Sequence, residues 1–463
     1  MSKFTPAQPF GGFEDFDEVS AKEWKQKIQY DLKGADYNET LVWQSPEGVH
    51  VKPFYHQDNF NEDFQPIPGQ PESWKIAQRI FIDDEKIANN LAIDALKRGA
   101  ESIVFAAKKE FDIQTVFKNF PFDSAVIYFN LEFLSEKFYT ELIQFLSTEK
   151  AVVYYNIDIL GNLARTGNWF YNLEKDHEIL DSIFHKNTQE NIVGVDVGLY
   201  QNAGANIVQQ LAYAMAHTNE YLHYFTKGGK HLFKLTFNIT TGPNYFFEIA
   251  KIRALRNLYA VLANEYGVQE TCHVVATPSK RNKTLYDYNI NLLRSTTECM
   301  SAVLGGADAV FNQPYDAIYH KSNEFGERIS RNQLLILKHE SYFNTVSNPA
   351  DGTYYIESLT DQLAEKALTI FKDIEKNGGF LQQLKAGVIQ KKIKESAEKE
   401  QELFDEGELK LLGTNYHPNK NDRMKDDLEL FPFVKNNPIK TILPPIVERR
   451  IAEKVEQERL SNE

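Results

Sequence analysis

Two hydrophobic periods alternate along most of this chain. Short runs that alternate every second residue, or are apolar throughout, fall at KIAQRIF (75–81), SIVFAA (102–107), AVIYFN (125–130), AVVYYNI (151–157), NIVGVDVG (191–198), HLFKLTFN (231–238), TCHVVAT (271–277) and DAVFNQP (308–314). Between them, EKIANNLAIDALKRG, EKFYTELIQFLS, HEILDSIFHK, ANIVQQLAYAMAHTNEYLHYF and INLLRSTTECMSAVLG place apolar residues every three or four positions, as helices do. The link between the second and third strands is short, and ERISRNQLLILKHES supplies a closing helix. The central stretch, 232–266, shows the unit best. Phe233, Leu235 and Phe237 alternate with Lys234, Thr236 and Asn238, and the loop TTGPN follows with Gly242 and Pro243. A helix of about five turns then carries Phe247, Ala250, Ala254, Leu258 and Val261 on one face. Eight strand-then-helix units over about 265 residues match the usual length of a (β/α)8 TIM barrel in the α/β class. A doubly wound open sheet is the rival, but near-uniform units favour closure.

The flanks divide the rest of the chain. Residues 1–73 read as an N-terminal arm and linker making a subunit contact, with one amphipathic helix (Trp24, Ile28, Leu32) stopped at Gly34. Trp24, Trp43, Phe54 and Tyr55 are too many aromatics for an arm to bury alone, so the arm should pack on the main body or on another subunit. The barrel is expected over 74–345 and a helical extension packing on it over 346–419. Within that extension, NPADGTYYIE reads as a turn and short strand, and the helix after it ends at Gly378-Gly379. Residues 420–463 read as a linker-like tail ending in the helical VERRIAEKVEQERL.

Charge and composition narrow the partners. Fifty-one Lys and Arg against 65 Asp and Glu give −14, which disfavours a phosphate-rich nucleic-acid or membrane surface. No run approaches 18 consecutive apolar residues, and MSKFTPAQPF has no signal-like apolar core. Cys272 and Cys299 form no C-x-x-C pair, so no disulfide framework is expected and a reducing cytoplasm fits.

Barrel enzymes carry their working groups at the C-terminal ends of the strands. Here those positions hold Lys108, Asn130, Asp158, Leu199, Tyr200, Gln201, Thr240, Thr241, Lys280, Arg281, Gln313, Tyr315 and Asp316. His217, His223, His320 and His339 fall in or beside helices, away from those ends, and His273 lies early in the seventh strand. No H-E-x-x-H, His/Cys ligand cluster or G-x-S-x-G motif occurs, so neither a metal site nor a nucleophile is expected. In the loop PSKRNKT, Lys280, Arg281 and Lys283 have the composition of a phosphate clamp for a ligand such as coenzyme A, although a charge run is more often simply solvated. A solvated face is also the plainer account of His177 and His185, eight apart on one helix. Gly305-Gly306 precedes the eighth strand, on the stability face of a barrel.

NYFFEIAKIRALRNLY resembles the FFxEvAKlRAaRxLW segment of the methylmalonyl-CoA mutases. VGLYQNAGANIVQQLAYAMA, YDYNINLLRSTTECMSAVLGGADAV and RISRNQLLILKHESYFNTVSNPADGTYYIESLT follow the same family in order, as does DLKGADYNETLVWQSPEGVHVKPFY in the arm. The resemblance runs from about residue 13 to about 419. It implies a barrel threaded along its axis by coenzyme A, with adenosylcobalamin held against one end by a second domain. The implied chemistry is radical interconversion of methylmalonyl-CoA and succinyl-CoA, with the cofactor carrying the hard step.

The departures matter as much. Catalytic members carry Tyr-His-Met-Gln-Glu-Ala-Gly-Ala after the fifth strand, and the resemblance gives that His the role of polarising the thioester. Here the run is Gly198-Leu199-Tyr200-Gln201-Asn202-Ala203-Gly204-Ala205, and Leu199 has no polar atom to offer. The family Tyr of the first strand aligns near Arg79, and the carboxylate-binding Arg falls near Arg165 or Thr166. The Asp-x-His-x-x-Gly loop that ligates cobalt in the family has no counterpart, since no Asp-x-His occurs in the sequence. No catalytic, cofactor-binding or metal residue is therefore assigned. Arg165, Lys280 and Arg281 are the candidate acyl-CoA contacts.

The subtype most resembled is the small, non-catalytic β subunit, paired in a heterodimer with a large catalytic subunit that holds the adenosylcobalamin. Two other readings stand beside it: a catalytic acyl-CoA-binding barrel that borrows a cobalamin domain from a separate chain, and a barrel turned to another acyl-CoA reaction. Aromatics in VIYFN, VVYYNI and LFKLTFN have the bulk to plug the barrel, and strand phase decides which of them point inward.

Overall fold

The computed structural model describes residues 17–60, 64–186, 191–227, 234–435 and 439–463. Eight parallel strands run Lys75–Phe81, Ser102–Ala107, Val126–Leu131, Val152–Tyr154, Gly194–Asp196, Thr236–Thr241, His273–Pro278 and Ala309–Phe311. Each strand pairs with its sequence neighbour, and the eighth returns to the first through Ala309 opposite Lys75 and Phe311 opposite Ala77. Between the fourth and fifth strands a parallel bridge joins Ile157 to Val193, supported by Tyr155 N to Asn191 O at 2.9 Å. The sheet thus curls round on itself as a TIM-type barrel.

Both faces of such strands are buried, and the register sorts them. Ile80, Phe105, Phe129, Val153, Phe237 and Val274 point outward into the main core beneath the helices. Ala77, Val104, Tyr128, Tyr154, Val275 and Ala309 share the other face and pack on one another inside the barrel.

The first two strands lie where the alternation puts them, and the others differ at their ends. The sixth is the largest slip. Expected at 231–238, it occupies Thr236–Thr241, and residues 231–233 lie outside the described residues. Thr240 and Thr241, read as loop, are buried strand residues. The short link after the second strand holds one turn of helix, Ile113–Val116. The stretch expected to form a turn and short strand after the barrel instead opens the long helix Tyr354–Lys376.

Helix Tyr245–Tyr266 is buried on nearly every side, because one flank faces the barrel and another faces Tyr354–Lys376. Phe247, Ala250, Ala254 and Leu258 are buried as expected, but Val261 is 62% exposed. The face that stays buried to the end runs through Tyr259, which meets Phe237 of the sixth strand edge-on, and Ala263.

The arm folds as a helix, Ala21–Asp31, and a small ribbon of Trp43–Gln44 against His50–Val51. Trp43 meets Phe247 edge-on at 5.9 Å, Tyr55 packs on Tyr355 at 5.5 Å, and Phe60 stacks on Tyr354 at 5.5 Å. The stretch read as a free linker is therefore fastened to the body at Phe60 and again at Gln70, whose amide donates to Ser347 O at 2.5 Å. Among the described residues no helix is long and apolar enough to cross a membrane.

Candidate functional site at the barrel mouth

The inside of the barrel is filled at mid-height. Tyr128 and Tyr154 stand side by side on neighbouring strands with ring centroids 5.0 Å apart, and His273 lies flat against Tyr154 at 4.0 Å. The Tyr128 hydroxyl is 2.9 Å from His273 Nε2. His273 Nδ1 faces Asp308 at 3.5 Å, and Asp308 in turn receives Arg256 at 2.6 Å. Burial pushes the His273 pKa down to about 4 against the pull of Asp308, so the ring is neutral at pH 7. Strand phase thus settles which aromatics point inward. Tyr128 and Tyr154 do, whereas Phe129, Tyr155 and Phe237 face the helices.

Above this plug the C-terminal mouth is polar. Arg79 rises from the first strand into it, keeps its side chain exposed to solvent, and makes no hydrogen bond or ion pair among the described residues; desolvation by the surrounding walls lowers its pKa. Arg165, from the helix Ile159–Thr166, is paired with Asp196 at the end of the fifth strand. Burial opposes its charge, but Asp196 and Glu448 more than offset that and raise its pKa. Arg165 therefore already has a carboxylate of this chain as its partner.

The three cations of the loop after the seventh strand are not gathered into a clamp, nor do they form a solvated run. Lys283 is buried against Glu298 at 2.7 Å and Asn282 at 2.9 Å. Arg281 is buried between Glu400 at 2.5 Å and the carbonyl of Arg449 at 2.9 Å. Lys280 alone stays half-exposed, 3.8 Å from Glu448. Leu199 does not face the mouth: it is buried in the main apolar core at the start of the short helix Gly198–Asn202.

Sequence reading missed two features here. His217, placed away from the strand ends, reaches one. Its Nε2 is 2.9 Å from Asp158 Oδ1 and its Nδ1 is 2.9 Å from the Tyr200 hydroxyl. The ring also stacks on Phe380, so this buried group braces the loops after the fourth and fifth strands. Of the other histidine pair, His177 Nδ1 lies 2.7 Å from Leu173 O, and the side chain of His185 lies outside the described residues.

The second feature is the tail. Residues 440–453, expected to be linker-like, are stitched along the rim of the mouth. Ile446 N donates to Ala164 O at 2.8 Å, Arg449 N to Asn202 O at 3.0 Å, and Ile451 N to Arg281 O at 2.8 Å. Gly167 has φ +76°, and a Cβ there would lie 2.4 Å from Leu443 O, so a side chain would push the tail off. A Cβ on Gly204, φ +102°, would likewise lie 2.4 Å from the Ala397 Cβ.

The charged residues of FFEIAKIRALR turn out to be fasteners. Lys251 donates to Thr240 O at 2.6 Å and to Gln201 and Gln210 at 3.1 Å each, while pairing with Glu248 at 2.5 Å. Arg253 holds Asp351 and Glu357, the latter at 2.6 Å. Arg256 holds Asp308 and the carbonyls of Gly69, Cys272 and Gly306. Each ties the helix to a neighbouring strand or loop, which ordinary amphipathic periodicity would not reveal.

The family model for methylmalonyl-CoA mutase matches residues 106–457. The small subunit of methylmalonyl-CoA mutase from Porphyromonas gingivalis is 32% identical over 90% of this chain and 73% of that protein. The small subunit from Streptomyces virginiae is 34% identical over 51% of this chain and 39% of that one. Methylmalonyl-CoA mutase from Rhizobium meliloti is 26% identical over 89% of this chain and 66% of its own length. Among solved structures, the flavin-binding domain of baker's yeast flavocytochrome b2 aligns over 71% of this chain with 10% identity and a TM-score of 0.27, too slight a likeness to carry any argument. With a family model spanning most of its length and a 32%-identical relative aligned over 90% of it, this chain belongs to the methylmalonyl-CoA mutase family.

Proposed function

We propose that this chain is the small, non-catalytic subunit of a heterodimeric, adenosylcobalamin-dependent methylmalonyl-CoA mutase in the cytoplasm. Its large partner subunit would bind the cofactor and carry out the isomerisation. The observation that carries this reading is the filled barrel. Coenzyme A threading the axis would have to pass the level of Tyr128, Tyr154 and His273, where stacked and hydrogen-bonded rings occupy the lumen. The residues that line this lumen do not fit that ligand.

Leu199 supports the same reading. The position that the family resemblance assigns to the polarising His holds a side chain packed in the apolar core. Arg79, near the family Tyr position, stands in the mouth without a pairing partner among the described residues, and Arg165 is already bound to Asp196.

Isomerase assay of the chain alone, with adenosylcobalamin and methylmalonyl-CoA, should show no turnover. Leu199→His should not restore it, since that imidazole would enter the core rather than the mouth. Turnover by the wild-type chain mixed only with a cobalamin-binding domain would establish the borrowed-domain enzyme instead. For the partner, deleting residues 1–70 should abolish co-purification with the large subunit while leaving a folded barrel. Full-affinity assembly of the truncated chain would remove the arm from the interface.

A further inference from the structure

Beside the mouth, between the barrel and its tail, lies a cleft of about 300 Å³. Its floor comes from the ends of the seventh and eighth strands and the loops after them, including Lys280, Gln313 and Tyr315. Its roof comes from two separate stretches of the tail, one at Phe431–Val434 and one at Glu448–Glu453. Nothing in the proposed subunit role uses it.

The polar groups of the cleft divide into those firmly committed and those loosely held. Lys283 is committed to Glu298 and Asn282, and Arg450 to Glu456 and the carbonyls of Lys283 and Pro432. The other two cations are held only in loose ion pairs. Lys280 is 49% exposed in its side chain and stands 3.8 Å from Glu448, beyond hydrogen-bond length. Arg449 is 63% exposed in its side chain and approaches Glu453 only through Nε at 3.4 Å, leaving the end of its guanidinium open. The acids are only partly satisfied, the buried Oε2 of Glu453 having no hydrogen-bond partner among the described residues. Glu448 accepts from Asn202 Nδ2 at 3.0 Å, and Glu453 accepts from the backbone N–H of Val434. Among the described residues the Gln313 amide N–H makes two long contacts, 3.4 Å each, to Thr277 and Pro278, so it can turn to a ligand. Tyr315, Phe431 and Phe433 supply aromatic wall, and Phe431 is more than half exposed.

We propose that this cleft binds a small anion carrying one aromatic ring system, of nucleoside monophosphate size, which joins the tail to the barrel. Lys280 and Arg449 would take the anionic group, Arg449 by the paired-donor geometry that suits phosphate and carboxylate. The ring would lie against the aromatic wall. The volume sits at the lower end of ligand pockets, which run from about 300 to 1,000 Å³, and so excludes a dinucleotide or coenzyme A. Because the two loosely paired cations face two acids, attraction comes from directed hydrogen bonds rather than net charge. The expected affinity is modest, with a dissociation constant of about 0.1–1 mM. Lys280 belongs to the barrel and Arg449 to the tail, so occupancy should hold the two together.

The test is calorimetric titration of the full chain with adenosine monophosphate, ribose 5-phosphate and inorganic phosphate. Adenosine monophosphate should bind once and saturably, at least tenfold more tightly than either of the others. The double variant Lys280→Gln, Arg449→Gln should weaken it at least tenfold, and Phe431→Ala should do so several-fold. All three side chains are substantially exposed, so the variants should melt like the wild type. Hydrogen exchange in residues 440–453 should slow when the ligand is added to the wild type and not to the double variant. Failure of adenosine monophosphate to saturate in the millimolar range, equal binding of phosphate, or unchanged affinity in the variants would each overturn the proposal.

Discussion

Helices Tyr245–Tyr266 and Ala21–Asp31 are built on opposite terms. The first is enclosed by barrel and helical extension, and its Glu248, Lys251, Arg253 and Arg256 are buried in ion pairs and hydrogen bonds. The second buries no residue. What holds it is mostly local: Ser20 accepts from Glu23 N at 3.2 Å, and the Glu23 carboxylate reaches back to Ser20 N at 2.9 Å, with one longer tie from Ala21 N to Asp58 at 2.9 Å. Lys27 pairs with Asp31 one turn on. A helix with four buried charged groups is thus enclosed on nearly every side, while one with an apolar stripe of Trp24, Ile28 and Leu32 lies open. The stripe shows that a surface is wanted. It does not show whose surface.

The largest effect should come from breaking the embedded helix. Arg256→Met removes the partner of Asp308 and leaves the carbonyls of Gly69, Cys272 and Gly306 without their donor. Removing one member of a buried charge pair typically costs about 3–5 kcal/mol. The unfolding free energy from urea titration should fall by that amount, and a loss below about 1 kcal/mol would mean that water replaces the guanidinium there.

Next comes the group that Arg256 reaches through Asp308. His273 has a folded pKa of about 4, lowered by burial from an ordinary value near 6.5. Between those values the unfolded chain binds the proton and the folded chain does not, so stability rises with pH. The contribution is complete above about pH 6.5 and is lost as the pH falls towards about 4, a difference of about 3 kcal/mol. His273→Asn should flatten the pH dependence of stability across that window relative to wild type. An unchanged slope would mean that the ring is already charged in the fold.

The contrast also shows what the sequence could reveal. Strands that alternate or are wholly apolar announced themselves, and the register of the first two was legible because Lys75 and Phe81 bound one and Ser102 opens the other. The sixth strand slipped because Thr240 and Thr241 beside Gly242 and Pro243 look like turn residues, yet β-branched threonines also suit a buried strand. Tyr354-Tyr355-Ile356 carries strand-forming side chains but lies in a helix, where Ile356 packs beside Ile249 and Ala350. The lumen could not be read at all. Parallel strands are apolar on both faces, so nothing local separates Tyr128 from Phe129 or Tyr154 from Tyr155. His217 was missed for a related reason, since its role depends on Asp158, far away in the chain. Resemblance to a family supplied the candidate positions Leu199, Arg79 and Arg165, but their surroundings came only with the fold.

The smallest effect on the isolated chain should come from the open helix, and it tests the comparison most directly. Trp24 is half exposed and, among the rings of the described residues, meets the edge of Phe54 at 6.3 Å. Trp24→Ala should therefore change the stability of the chain alone by no more than about 0.5 kcal/mol, as for most surface substitutions. In complex with the proposed large subunit the same change should matter far more. A tryptophan that anchors an interface typically contributes about 2 kcal/mol or more, or roughly thirtyfold in affinity. Melting of the isolated chain and titration against the large subunit, done on one pair of proteins, separate the two costs. If the variant loses stability alone and binds its partner unchanged, the arm helix is a cover for its own barrel, and the difference between the two helices is one of degree. If it melts like the wild type and binds at least tenfold more weakly, the exposed stripe is half of an interface.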